Sequence, residues 1–174
     1  MLISDLAAAV AEKLDSTIFG NGAGDTNTPA GLFNGVTASG TLASAAYSDV
    51  LALEQAVEEK NGSDYMFVVN PKVKFALKGT QVASGLAMVY DNNEIDGYKA
   101  ISSNSVVTNG ILCINPKMLV IGQWGGIDIL VDPYTKAGDG QVRLVVNAYF
   151  DAKLRGDQIG KKVFGTSTAA GGTS

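Results

Sequence analysis

From Phe19 to Phe33 the chain reads Phe-Gly-Asn-Gly-Ala-Gly-Asp-Thr-Asn-Thr-Pro-Ala-Gly-Leu-Phe, directly after an alanine-rich amphipathic segment. Gly, Asn and Asp at this density accept left-handed backbone, end a helix and let the chain turn. Pro29-Ala30-Gly31-Leu32-Phe33 then re-routes it sharply. The preceding segment predicts a helix over about residues 5–18, with Ser4 as its N-cap. Ile3, Leu6, Val10, Leu14 and Ile18 form an apolar stripe at helical spacing, and Ala7, Ala8, Ala9 and Ala11 keep the helix slim. The glycines do not read as a phosphate cradle. Such loops precede a helix, whose first amides and dipole hold the anion, whereas these follow a helix end and lack a trailing Gly-Lys-Ser/Thr.

Composition narrows the function classes. Of the 174 residues 17% are charged, below the ~25% usual in soluble domains, and 21 are glycine. With 46% hydrophobic residues the chain can fill a core, as one domain or as one domain with an arm. Low charge with abundant glycine implies β-rich structure, many turns, and a surface covered by neighbours instead of water. A net charge of −4 argues against a nucleic-acid surface, and Lys72/Lys74/Lys78 and Lys161/Lys162 read as solvated faces. The single cysteine, Cys113, lies in an apolar run and reads as a small buried hydrophobe, which fits a reducing cytoplasm. No apolar run approaches the ~20 residues of a membrane span, and no signal-peptide pattern opens the chain.

Reactive chemistry finds little support. The chain has no histidine, which removes Ser-His and Cys-His nucleophiles and the usual zinc sites. No Ser-x-x-Lys motif occurs. Asp91 to Gly97 invites a calcium reading, but counting from Asp91 puts Ile95 at the fifth position, Asp96 at the sixth and Ser102 at the twelfth, so the register fails. Trp124 beside Gly125-Gly126 reads as an aromatic packed on its own sheet. No catalytic, cofactor-binding or metal-binding residue is assigned, and no cofactor is expected.

Further along, residues 35–46 are small and polar, a loop or an edge strand. Ser48 caps a second helix with Val50, Leu53 and Val57 facing in and Glu54 and Glu58 facing out, ending at Lys60-Asn61-Gly62. Tyr65 to Val69 is a buried strand, and Asn70-Pro71 opens a short helix to about Lys78. Residues 79–96 read as a loop, and a strand begins at Gly97. Asn109-Gly110 predicts a hairpin between Val106-Val107 and residues 111–114. Trp124-Gly125-Gly126 predicts another between residues 118–123 and 127–131. After a Gly138-Asp139-Gly140 turn, residues 141–150 alternate as a long strand. Residues 165–174 read as a disordered tail.

Three of these patterns, in this order, resemble the major capsid proteins of tailed bacteriophages with the Hong Kong 97-type shell. They are the helix with its glycine-rich turn into Pro-x-Gly-Leu-Phe, the helix–strand–Asn70-Pro71–helix unit around Phe67-Val68-Val69, and the closing strand Asn147 to Arg155 with Val163-Phe164. The resemblance covers Leu2 to about Phe164. It implies an α+β fold with a peripheral domain, carrying a spine helix, and an axial domain. It assigns 1–32 and 142–164 to the peripheral domain, 33–141 to the axial domain and 165–174 to the tail. The spine helix of that family is longer and follows an arm and an extended hairpin loop, so the chain reads as truncated at its N-terminus, a fragment or shortened gene that folds without closing a shell. Contacts between copies are expected at Leu6, Val10 and Leu14 on the helix. They are also expected at Gly79, Gly85, Asp91, Asn92 and Asn93, in a loop pointing to the capsomer axis.

The function implied is a structural head protein of a phage or prophage, not an enzyme. It self-assembles into pentamers and hexamers of an icosahedral shell around DNA, in the virion and within a bacterial host cytoplasm. Its partners are copies of itself and other head proteins, with no specific nucleic-acid recognition and no membrane. An encapsulin-type nanocompartment shell protein is the alternative of the same fold. A carboxylate-dependent hydrolase is the alternative of another class, and it requires paired buried carboxylates in a cleft; a secreted β-rich adhesion module is more distant.

Overall fold

The computed structural model describes residues 2–35 and 45–165. Three expectations fall outside the described residues: a loop or edge strand across 36–44, a tail across 166–174, and the Ile3 side chain. The centre is a six-stranded sheet in the order β2-β3-β4-β1-β5-β8. Its strands are β1 Met66–Val69, β2 Tyr90–Asp91, β3 Glu94–Ile95, β4 Tyr98–Ser102, β5 Gly110–Ile114 and β8 Ile159–Val163. Central β1 pairs parallel with β4 and antiparallel with β5. All five residues of β5 are buried, as are Phe67, Val68 and Val69 of β1. Unbroken apolar runs of this kind belong in strands covered on both faces.

One face is covered by α2 Tyr47–Glu58 and α3 Pro71–Lys78. Phe67, Val69, Ile111 and Cys113 meet Val50, Leu53, Val57, Val73 and Leu77 there. The start of α3 shows why Asn-Pro sits where it does. Pro71 is the first helical residue, and the Asn70 side chain accepts a hydrogen bond from the Lys72 amide at 3.1 Å. The Asn70 amide group also donates to the Val106 carbonyl at 3.0 Å, so a buried polar side chain is satisfied twice. Helix α2 begins one residue before the expected Ser48 cap, with Asp49 accepting from the Ala46 amide at 3.3 Å. Behind α2, a Cβ on Gly160 would overlap the Leu53 carbonyl, so glycine lets helix and strand touch.

The opposite face is covered by the turn that follows α1 Leu2–Ile18. This helix starts earlier than expected, and Ser4 lies in its first turn instead of capping it. The chain then doubles back on the helix end: Gly31 donates to Gly22 at 3.0 Å, Leu32 to Ile18 at 2.7 Å and Phe33 to Gly20 at 3.0 Å. The reversal delivers Phe33, fully buried, into a second core with Val68, Val106, Leu112 and Ile114. Lys161 fastens the turn to β8 by donating to the Leu32 carbonyl at 2.7 Å and the Asn34 carbonyl at 3.1 Å. Lys162 pairs with Asp49 of α2. These two lysines are structural cross-links and not the solvated face read from the sequence.

Outside the sheet lies a two-stranded ribbon of β6 Leu119–Asp132 and β7 Arg143–Leu154. Both glycine-based hairpin expectations are corrected here. Trp124-Gly125-Gly126 is not a hairpin but a bulge within one strand: Trp124 faces Tyr149 and Asp128 faces Asn147, so Gly125, Gly126 and Ile127 stand opposite Ala148 alone. Gly125 has φ 72, which lets the extra residues loop out while the strand continues. Asn109, at φ 62, does form a turn, but Val106 and Val107 lie in no strand, and β5 pairs with β1 and β8 instead.

A candidate self-association surface

Strand pairing settles which ribbon residues share a face. Leu144, Val146, Ala148 and Phe150 alternate along β7 and look across an open groove of about 480 Å³ at Leu6, Val10 and Leu14 of α1. The outer face carries the residues between them. There Trp124 stands opposite Tyr149 and Leu130 opposite Val145, with Val120 further along. Trp124, Leu130 and Tyr149 are each 60% exposed or more. Gly122 gives the Trp124 indole room to lie back along its own strand, since a Cβ there would come within 2.9 Å of the ring. The turn at the ribbon tip presents Tyr134, which is 86% exposed, on a loop braced by Asp132 accepting from the Tyr134 amide at 3.0 Å and the Thr135 amide at 3.1 Å. Asp128 opposite Asn147 sits between the Trp124 and Leu130 pairs, so large exposed apolar side chains alternate with polar ones, a mix that suits a contact surface.

The residues named from sequence fall into two separate groups. Leu6, Val10 and Leu14 are half-buried and face their own ribbon. Gly79 ends α3, and Gly85, at φ 80, is exposed in the following loop. Asp91, Asn92 and Asn93 are exposed at the tip of the β2–β3 hairpin, where Asn92 and Asn93 have φ 45 and 63. Two left-handed residues in succession define the tight turn this hairpin needs. Asp91 and Asn92 border a small cavity of about 240 Å³ with Val82 and Met88. The ribbon's outer face went unseen in the sequence. Its signal is the run Ile127 to Val131, apolar at four of five positions, which reads as one buried arm of a hairpin when the bulge is taken for a turn.

Ionisable groups are sparse in the interior. Glu54, expected to face out, is buried on α2. Its burial, the Asp96 charge and the Glu58 charge push its carboxyl up to about 7. Burial also pushes the Cys113 thiol up, as befits an inert sulfhydryl. Among the described residues no three His, Cys, Asp or Glu side chains gather as a metal site, and no helix is long and apolar enough to cross a membrane.

Comparison with known proteins meets this geometry with capsids. The phage capsid family matches residues 1–158. The major capsid protein of Halomonas phage phiHAP-1 is 30% identical over 145 residues, which is 77% of this chain and 23% of that protein. The capsid chain of an empty GTA particle superimposes with a TM-score of 0.65 at 17% identity, covering 94% of this chain and 66% of that one. A virus-like particle from Pyrococcus furiosus gives 0.59 at 15% identity, covering 88% and 64%. The chain thus spans about a quarter of the curated relative and a little under two thirds of these solved shell proteins. With its expected α+β architecture in place, and the family matched across nearly its whole length, this chain belongs to the phage capsid family and has the Hong Kong 97-like shell fold.

Proposed function

We propose that this chain is the shell-forming portion of a phage or prophage major capsid protein, working through contacts between copies of itself. The observation that carries the reading is the ribbon's outer face, where Trp124, Leu130 and Tyr149 stay exposed although strand β5 at the heart of the sheet is wholly buried. On a chain of this family, such a face suits the repeated, individually modest interfaces that add up in closed rings and shells. Its setting would be pentamers and hexamers in a virion capsid, assembled with other head proteins in the bacterial cytoplasm.

The peripheral part would be α1, its turn and the ribbon; the axial part would be the six-stranded sheet with α2 and α3. A boundary at 141/142 separates β6 from β7, and their pairing on both sides of the bulge supports grouping both with α1. The loop through Gly79, Gly85 and Asp91 to Asn93 would point toward the capsomer axis and make a second set of contacts, with Leu6, Val10 and Leu14 supporting the ribbon from behind.

No reaction is assigned. A carboxylate-dependent hydrolase needs a buried acid pair in a cleft, whereas Asp91, Glu94 and Asp96, which line one cavity, are all exposed and the buried Glu54 does not line it. The Pyrococcus furiosus particle shares the fold, so the fold alone also suits a nanocompartment shell. The family match and the phage relative favour the phage reading. Sedimentation velocity over a concentration series tests it with Leu130→Glu and Tyr149→Glu. The parent chain should gain mass with concentration and both variants should lag; identical profiles for all three would remove the ribbon from the account.

A further inference from the structure

Glu54 is out of place for an assembly surface and for a core. It lies on the sheet-facing side of α2 beside Leu53 and Val57, and its Oε1 is fully enclosed without a hydrogen-bond partner. An ionised carboxylate in that position is a buried charge with an unsatisfied oxygen, one of the more costly arrangements in a protein. Among the described residues the groups that act on it include no compensating cation. Helix α2 itself supplies Tyr47 and the exposed Glu58; the residues before β1 supply Tyr65, whose hydroxyl donates to Glu58 at 3.0 Å. The β3–β4 turn supplies Asp96, β4 supplies Tyr98, and β5 supplies the Cys113 thiol. Strand β8 brings Lys162, but to Asp49. The groups that act on Glu54 are therefore acids and phenols.

Asp96 stands at hydrogen-bonding reach of Glu54, with the Tyr47 hydroxyl also facing it. Two carboxylates both accept and neither donates, so this contact forms only when one of them carries a proton. The position of Asp96 makes the contact mechanical as well as electrostatic. Asp96 and Gly97 have φ 51 and 81 and form the two-residue turn joining β3 to β4. The turn closes a small meander in which the Ala100 amide donates to the Asn93 carbonyl at 2.8 Å. We propose that Glu54 and Asp96 form a proton-dependent clasp that holds the β3–β4 turn against α2 and releases it as the solution becomes less acidic. The inference does not depend on the self-association reading.

The direction follows from linkage. With the clasp closed, the Glu54 carboxyl is held up at about 7, against 4.5 for an unperturbed one. Burial is the first cause of that rise and Asp96 the second, so the closed form binds the proton more tightly than the released form by the part that Asp96 supplies. Closure is strongest at acid pH, weakens by at most about tenfold per pH unit as the pH rises toward about 7, and levels off above that. Ionised Glu54 and Asp96 then repel each other, and the turn is freed.

Amide hydrogen exchange at Tyr98 and Ala100, corrected for intrinsic exchange and followed from pH 5 to 8, tests this in the whole chain. In the parent protein protection should fall steadily up to about pH 7 and then level. Glu54→Gln, which stays neutral and can donate, should hold protection flat across the range. Asp96→Asn, compatible with the left-handed backbone, should flatten the profile and bring the Glu54 side-chain carboxyl carbon, followed by NMR, back toward an ordinary carboxylate midpoint. A parent-like fall in both variants, or a Glu54 carboxyl carbon that titrates near 4.5 in the parent chain, would overturn the proposal.

Discussion

The six-stranded sheet and the β6–β7 ribbon are built from similar sequence and end in opposite conditions. Both contain runs such as Gly-Ile-Leu-Cys-Ile and Ile-Asp-Ile-Leu-Val. In the sheet, β5 is sandwiched between α2 on one side and the Phe33 turn on the other, and all of it is buried. In the ribbon, one face has α1 across an open groove and the other has only solvent. Hydrophobic pattern states that a strand wants cover. It does not state whether the cover comes from the same chain.

That contrast can be attacked from the filled side first. Phe33→Ala removes the fully buried ring that the post-helix turn delivers to the sheet, and should cost about 3–5 kcal/mol of unfolding free energy in urea titrations. A loss below ~1 kcal/mol would mean the turn does not close that core. Gly160→Ala forces α2 away from β8 and should cost about 1–3 kcal/mol. Asn70→Ala leaves the Val106 carbonyl and the Lys72 amide without their partner and should cost about 1–3 kcal/mol, read from the same titration.

The exposed side should respond in reverse. Leu130→Ser on the ribbon's outer face should change the unfolding free energy of dilute protein by less than about 0.5 kcal/mol, because the residue has little to lose there. It should weaken association at high concentration. An effect as large as that of Phe33→Ala would mean the outer face is covered by its own chain.

The sequence was legible where one short-range signal sufficed. Pro71 starts α3 and Lys78 ends it as the residues suggest, since Asn-Pro caps and pre-organises a helix locally. Cys113 is buried as its neighbours imply. Glycine is an ambiguous signal because it does three different jobs in this chain. Gly125 loosens a bulge, Gly160 permits a close approach and Gly97 completes a turn, and only pairing partners tell these apart. Glu54 was misplaced because helical periodicity gives an edge position no preference between solvent and a neighbouring turn. The acid whose charge acts on it there, Asp96, is distant in sequence. The apolar stripe on α1 names no partner by itself; what Leu6, Val10 and Leu14 face in this chain is the ribbon, a strand contributed by the far end of the sequence.

Trp124 is the sole tryptophan and sits in the middle of the ribbon's outer face, so its emission reports the cover on that face and nothing else. The most direct measurement is the intrinsic fluorescence spectrum recorded alongside sedimentation as concentration rises. The account predicts solvent-exposed, red-shifted emission in dilute protein and a blue shift that grows in step with associated mass. Emission already blue in the monomer, or unchanged while the protein associates, would contradict it.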